Sequence, residues 1–75
     1  MKKRIYVRVA GYETPTEVQI DERTVSDDIL GAVGLSRDTH IVEPGTGMPP
    51  FGADEAIFQR VREGGRIFVV PAHDS

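Results

Sequence analysis

The chain contains no cysteine. The missing thiols exclude a disulfide framework, a thiolate zinc site and a cysteine nucleophile, and they are compatible with a reducing compartment. A catalyst built on this sequence would depend on two histidines and on carboxylates. Long apolar runs are also missing, since none approaches the roughly 18 residues of a membrane span. We therefore expect a cytoplasmic protein without a membrane partner.

Basic residues are scarce, because nine Lys and Arg oppose twelve Asp and Glu for a net charge of −3. The basic cluster at Lys2 to Arg4 is short and has only Tyr6 beside it for stacking on bases, which argues against nucleic-acid binding. Lysine occurs only at positions 2 and 3. If the protein is a modifier, chains of copies joined through its own side-chain amines can be built only at that end. An arginine-rich genome would produce the same usage.

The 75 residues leave room for one small domain and no deep cavity. Alternation of apolar and polar residues predicts strands at 4–10 and 16–20, joined by a turn that contains Gly and Pro. A capping-box pattern at Thr24–Asp27 predicts the start of a helix of about ten residues. Gly34 predicts its left-handed end, and Leu35 is expected to close over that end.

The second half predicts two more strands, at 39–43 and 67–70, around an irregular segment. Gly and Pro exclude a regular strand from 44–52, where Phe51 is expected to serve as a lid on the core or as part of a protrusion that a partner recognises. Asp54 is expected to cap one or two helical turns that bury Ile57, Phe58 and Val61. Gly64-Gly65 predicts the turn into the last strand.

The first and last strands are the most apolar, so both are expected at the centre of the sheet, side by side and parallel. The strands at 16–20 and 39–43 then become the edges. This order predicts an α+β fold, the β-grasp, with a mixed four-stranded sheet and one short α-helix packed on one face. We expect a single domain over residues 1–71 and a flexible tail over residues 72–75.

The sequence resembles the ubiquitin-like family, most closely the bacterial ubiquitin-like proteins that are encoded with conjugation-type enzymes. The resemblance lies in the order and spacing of Ile5–Val9, the helix and its glycine stop within residues 24–35, and Gly65–Pro71. It implies a protein modifier and not an enzyme. The implied partners are an activating enzyme, a conjugating enzyme or a processing peptidase, with no cofactor and with a monomer when the chain is alone.

The chain departs from that family at its end, because no Gly-Gly follows the last strand. Gly64 and Gly65 precede that strand, so they cannot be the conjugation end. The tail has three interpretations: Ser75 supplies the reactive carboxylate, a peptidase cuts after Ala72, or the tail is inert. The candidate conjugation or processing residues are Ala72, His73, Asp74 and Ser75.

A second candidate site is the sheet face away from the helix, which is expected to bind protein partners if Ile41 points inward. The alternatives are self-association and coverage by the 44–52 loop. The predicted face consists of Tyr6, Arg8, His40, Val42, Phe68 and Val70.

No catalytic residue and no metal site is predicted. The two histidines, His40 and His73, have no ligand spacing that ties them to each other or to carboxylates. The competing function is a stand-alone β-grasp adaptor or structural subunit of a larger complex, such as the small component of some multicomponent oxygenases. There the tail would have no role. A sulfur carrier is disfavoured by the same missing Gly-Gly.

Overall fold

Four strands and one helix make up the computed structural model, which describes residues 1–45 and 48–72. In chain order they are β1 (Lys2–Val9), β2 (Thr16–Asp21), α1 (Ser26–Ala32), β3 (His40–Glu43) and β4 (Arg66–Pro71). The sheet order is β2-β1-β4-β3. β1 pairs with β4 in parallel, and the other two pairs are antiparallel. The predicted β-grasp architecture, including the parallel central pair, is confirmed.

The core lies between the sheet and α1. Alternate residues of the two central strands are fully buried on this side, including Ile5, Val7, Ile67 and Val69. They pack with residues of the helix, the edge strands and the irregular segment: Ile20, Ile29, Leu30, Val42, Phe51, Ile57, Phe58 and Val61. No helix within the described residues has the length and apolar content to cross a membrane.

The predicted capping box is placed one residue too early. Thr24 accepts a hydrogen bond from the Asp21 backbone N–H at 3.0 Å, so its hydroxyl serves the preceding turn. The helix begins after Val25, whose N–H donates to the Asp28 carboxylate at 3.0 Å. At seven residues, α1 is also shorter than the predicted helix.

The predicted end of the helix is confirmed. Gly34 has a φ of 77° and its N–H donates to the Gly31 carbonyl at 3.1 Å, while the Leu35 N–H donates to the Leu30 carbonyl at 2.8 Å. These two bonds form a Schellman motif. Leu35 packs partly buried against the core.

Within residues 53–63 the chain forms one hydrogen-bonded turn and no regular helix, since the Arg60 and Val61 N–H groups both donate to the Ile57 carbonyl, at 2.9 and 3.2 Å. Earlier in this segment the backbone bonds to the start of α1: the Ser26 N–H donates to the Glu55 carbonyl at 3.1 Å, and the Ile57 N–H donates to the Thr24 carbonyl at 3.2 Å. Ala56 also forms an isolated bridge with Val25. Because these groups bond to the helix start, they cannot bond along a helix of their own. The predicted burial of Ile57, Phe58 and Val61, and that of Phe51, is confirmed.

The Gly64-Gly65 turn is built into the sheet. Gly64 has a φ of 75° and donates its N–H to the Arg4 carbonyl at 2.7 Å, and the Gly65 carbonyl accepts from the Tyr6 N–H at 2.9 Å. A Cβ on Gly65 would lie 2.9 Å from the Arg62 carbonyl oxygen. The two glycines therefore bring β4 alongside β1, as predicted.

Candidate protein-binding surface

The outer face of the sheet is the side opposite α1. Since Ile5, Val7 and Val9 point into the core, the alternate residues of β1 point outward. The register aligns Tyr6 with Arg66 and Arg8 with Phe68 across the central parallel pair. Two aromatic rings and two guanidinium groups therefore alternate in a block over the middle of the outer face.

The apolar part of this face continues onto β3. Ile41 lies opposite Val70 in the antiparallel β3–β4 pair, and both side chains are partly exposed. Phe68 has intermediate exposure on the same face. We call Ile41, Phe68 and Val70 the apolar cluster. A sheet face directed toward solvent normally carries mostly polar residues, so this cluster marks the face as a candidate interface.

Two residues of the predicted face lie on the other side of β3. Val42 is only 2% exposed and belongs to the core, where it is aligned with the buried Val69. His40, two residues before Val42 on β3, points to the same side of the strand as Val42. His40 lines a cleft of about 210 Å³ together with Asp27 and Arg37 on the helix side. The prediction was wrong at these two positions because Ile41 points outward.

The sequence holds one signal that would have fixed this phase. Glu43 shares a strand face with Ile41, and an unpaired carboxylate is too costly to bury in a small core. If Glu43 points outward, Ile41 does so too, and Val42 must point inward. Alternation alone could not decide, because Ile41 and Val42 are both β-branched and both suit a buried position.

A cleft of about 310 Å³ adjoins the apolar cluster on the outer face. Tyr6, Arg8, Pro15 and Arg66 line it. Tyr6 is partly exposed, and Pro15 comes from the loop that joins β1 to β2. The cleft thus combines an apolar wall with two permanent positive charges.

The arginines of this face differ in their partners. Arg4 lies 3.6 Å from the Glu17 carboxylate and 4.0 Å from that of Glu63. Among the described residues, no carboxylate approaches within 4 Å of the guanidinium groups of Arg8 or Arg66. The positive charge in the cleft is therefore available to a ligand.

The predicted tail begins at a residue that the sheet still holds. Pro71 is aligned with His40 in the β3–β4 pair, and the Ala72 N–H donates to the Thr39 carbonyl at 2.8 Å. Ala72 itself is exposed. The other three residues of the predicted tail, His73, Asp74 and Ser75, lie outside the described residues.

Ligands for a metal do not converge in the described part of the chain, where no group of three His, Asp or Glu side chains comes together. The Nδ1 of His40 lies 2.8 Å from the Thr39 hydroxyl, a local contact between neighbours.

No protein-family model and no curated protein matches the sequence. Solved structures do match its fold. The UBL domain of Plasmodium falciparum Dsk2 superposes with a TM-score of 0.76 at 13% identity, covering 96% of this chain and all of that one. Ubiquitin of Caldiarchaeum subterraneum superposes with a TM-score of 0.69 at 12% identity, covering 100% and 99%. The fold is therefore that of the ubiquitin-like β-grasp.

Proposed function

We propose that the chain is a ubiquitin-like modifier, or an unconjugated relative of one, of the bacterial class that its sequence resembles. Activating or conjugating enzymes, or a processing peptidase, recognise it through the outer face and the tail. The observation that supports this is the apolar cluster of Ile41, Phe68 and Val70, which lies partly exposed on the face opposite the helix. Burying such a cluster against a partner releases water from apolar surface and favours association.

The tail has a specific role in this proposal. An enzyme that joins or cleaves the chain there needs an extended segment that fits a narrow channel. The hydrogen bond from Ala72 to Thr39 means that a peptidase cutting after Ala72 must first detach this residue from the edge of the sheet. That bond is exposed, and its loss costs little compared with a buried one.

The same hydrogen bond favours the second candidate function. Ala72 continues the pairing of β3 with β4 by one residue beyond Pro71. An adaptor or structural subunit gains from such a fixed end, whereas a modifier must release it. In this alternative, the outer face docks permanently onto a larger complex and no covalent bond forms.

Intact-mass analysis after expression with the protein's native genomic neighbours separates the two functions. A modifier gives a shortened chain or a covalent adduct, and deletion of residues 72–75 abolishes it. An adaptor keeps its mass and forms a complex that survives the deletion.

The outer face has its own test in the same system. Substitution of Ile41 by serine should abolish the adduct or the complex, because it places a hydroxyl in the apolar cluster. Substitution of Ala32 by serine, at an exposed position of α1, is the matched control and should leave both intact. An adduct or complex that tolerates Ile41→Ser contradicts binding through the outer face.

A further inference from the structure

We propose that the cleft lined by Tyr6, Arg8, Pro15 and Arg66 binds an acidic segment of the partner protein. This inference rests on the proposed function, because the cleft adjoins the apolar cluster on the same face. It adds the chemistry of the partner: carboxylate side chains that flank an apolar residue.

The two guanidinium groups are placed to receive carboxylates. Arg66 is aligned with Tyr6, and Arg8 follows Tyr6 by two residues on the same face. From the spacing of strands and the rise per residue, the Cα atoms of Arg8 and Arg66 lie roughly 8 Å apart. Each planar guanidinium can hold a carboxylate through two parallel hydrogen bonds.

Charge complementarity selects the occupant. The chain as a whole carries a net charge of −3, so its overall charge does not attract an acidic segment. Arg8 and Arg66 have no carboxylate partner within 4 Å among the described residues, whereas Arg4, Arg37 and Arg60 do. Arg23 and Arg62 have none within this distance either, but they do not line the cleft. The cleft therefore brings two such guanidinium groups together, which favours an acidic segment there and fixes its orientation.

The cleft fits a peptide better than a nucleic acid. Two arginines neutralise few phosphates, and the chain's net charge of −3 disfavours a long polyanion. Tyr6 and Pro15 add apolar surface beside the two charges, which suits a leucine-sized side chain next to carboxylates. A short acidic peptide satisfies both requirements.

The test uses a blocked pentapeptide in which two glutamates stand on each side of a leucine, and a matched peptide with glutamines in their place. Binding to the full chain is followed by NMR at about 50 mM and about 300 mM salt. We expect the glutamate peptide to shift the amide signals of Tyr6, Arg8 and Arg66. The glutamine peptide should bind at least about fivefold more weakly, as should the glutamate peptide at the higher salt.

Three variants locate the site. Arg8→Gln and Arg66→Gln should each weaken binding of the glutamate peptide about threefold to tenfold. Arg23→Gln makes the same charge change in the turn between β2 and α1 and should leave the affinity within about twofold. Amide spectra of the free variants verify that each one is folded.

Several results would overturn the proposal. These are equal affinity for the two peptides, equal effects of Arg8→Gln and Arg23→Gln, or tighter binding of a single-stranded oligonucleotide than of the glutamate peptide. Failure here is distinct from failure of the proposed function. If the peptide does not bind but Ile41→Ser still abolishes the complex or adduct, the face binds partners without selecting acidic segments.

Discussion

The ammonium group of Lys3 lies 4.2 Å from the centroid of the Phe58 ring and donates a hydrogen bond to the Phe58 carbonyl oxygen at 2.5 Å. A second hydrogen bond reaches the Val61 carbonyl oxygen at 3.0 Å. Lys2 occupies the opposite face of β1 and is exposed. Adjacent lysines therefore have different roles: Lys3 ties β1 to the irregular segment, and Lys2 extends into solvent.

The first prediction concerns amine reactivity. Limiting amounts of an acetylating reagent should modify Lys2 at least about tenfold faster than Lys3, because freeing Lys3 requires local opening that costs about 1.4 kcal/mol or more. Peptide mass spectrometry of the folded protein measures the two rates. In denaturing guanidinium the rates should become similar. Equal rates in the folded protein would show that Lys3 is not held as described.

The second prediction concerns stability. Lys3→Met keeps the apolar stem but loses the cation over Phe58 and both hydrogen bonds, so we expect a loss of about 1–2 kcal/mol in the free energy of unfolding. Lys2→Met is the matched control and should change it by less than about 0.5 kcal/mol. Urea unfolding measures both. A loss that is the same for the two variants would contradict the difference between these lysines.

The third prediction concerns acid unfolding. The backbone N–H of Arg23, at 2.8 Å, is the main cause that lowers the pKa of Asp21 below its ordinary value of 3.8, and the Thr24 hydroxyl adds to it. Because the pKa is lower in the folded state, Asp21 contributes stability above pH 3.8 that is lost as the pH falls through the folded value.

Urea unfolding as a function of pH checks this sign. As the pH is lowered from neutral through the folded pKa of Asp21, the free energy of unfolding should fall more for the native chain than for Asp21→Asn, whose side chain does not titrate. Thr24→Val should raise the pKa of Asp21 toward its ordinary value, as followed by the NMR signal of the carboxyl carbon. The same acid loss in Asp21→Asn as in the native chain would rule out this contribution.

The fourth prediction separates two adjacent glycines. Gly64→Ala should cost about 1–2 kcal/mol, because the φ of 75° is unfavourable for an L-residue although a Cβ meets no other atom within 4 Å. Gly64→Asn should cost less, since asparagine tolerates this conformation better. Gly65→Ala should cost most, because its Cβ would lie 2.9 Å from the backbone oxygen of Arg62. Any other order in urea unfolding would refute this account of the turn.

The sheet was predictable because its two central strands are distinguished by composition. Residues 67–70 are apolar on both faces, and Ile5, Val7 and Val9 alternate strictly, which places β4 and β1 at the centre. Gly34 was equally informative, since it stands where the helical pattern stops and a left-handed residue is needed.

The errors came from competition between nearby hydrogen-bonding groups. Thr24 can cap a helix or close a turn, and the Asp21 side chain and backbone recruit it for the turn. Ile57, Phe58 and Val61 have the spacing of a buried helix face, but the Glu55 carbonyl and the Ile57 N–H bond to residues 26 and 24, so only a single turn forms after Ile57. Local sequence does not show which of the competing hydrogen bonds forms. The strand phase at Ile41 was the exception, because Glu43 could have fixed it.

The fifth prediction uses that phase directly. Val42→Ala removes two methyl groups from a fully packed site, so it should lower the free energy of unfolding by about 2 kcal/mol. Ile41→Ala removes a larger volume from the partly exposed outer face, yet it should cost less than about 1 kcal/mol. Binding should show the reverse order, because only Ile41 belongs to the apolar cluster. Measuring urea unfolding and partner capture on both variants tests the two roles together. If Ile41→Ala proved the more destabilising of the pair and left binding unchanged, the outer face would be a structural surface and not an interface.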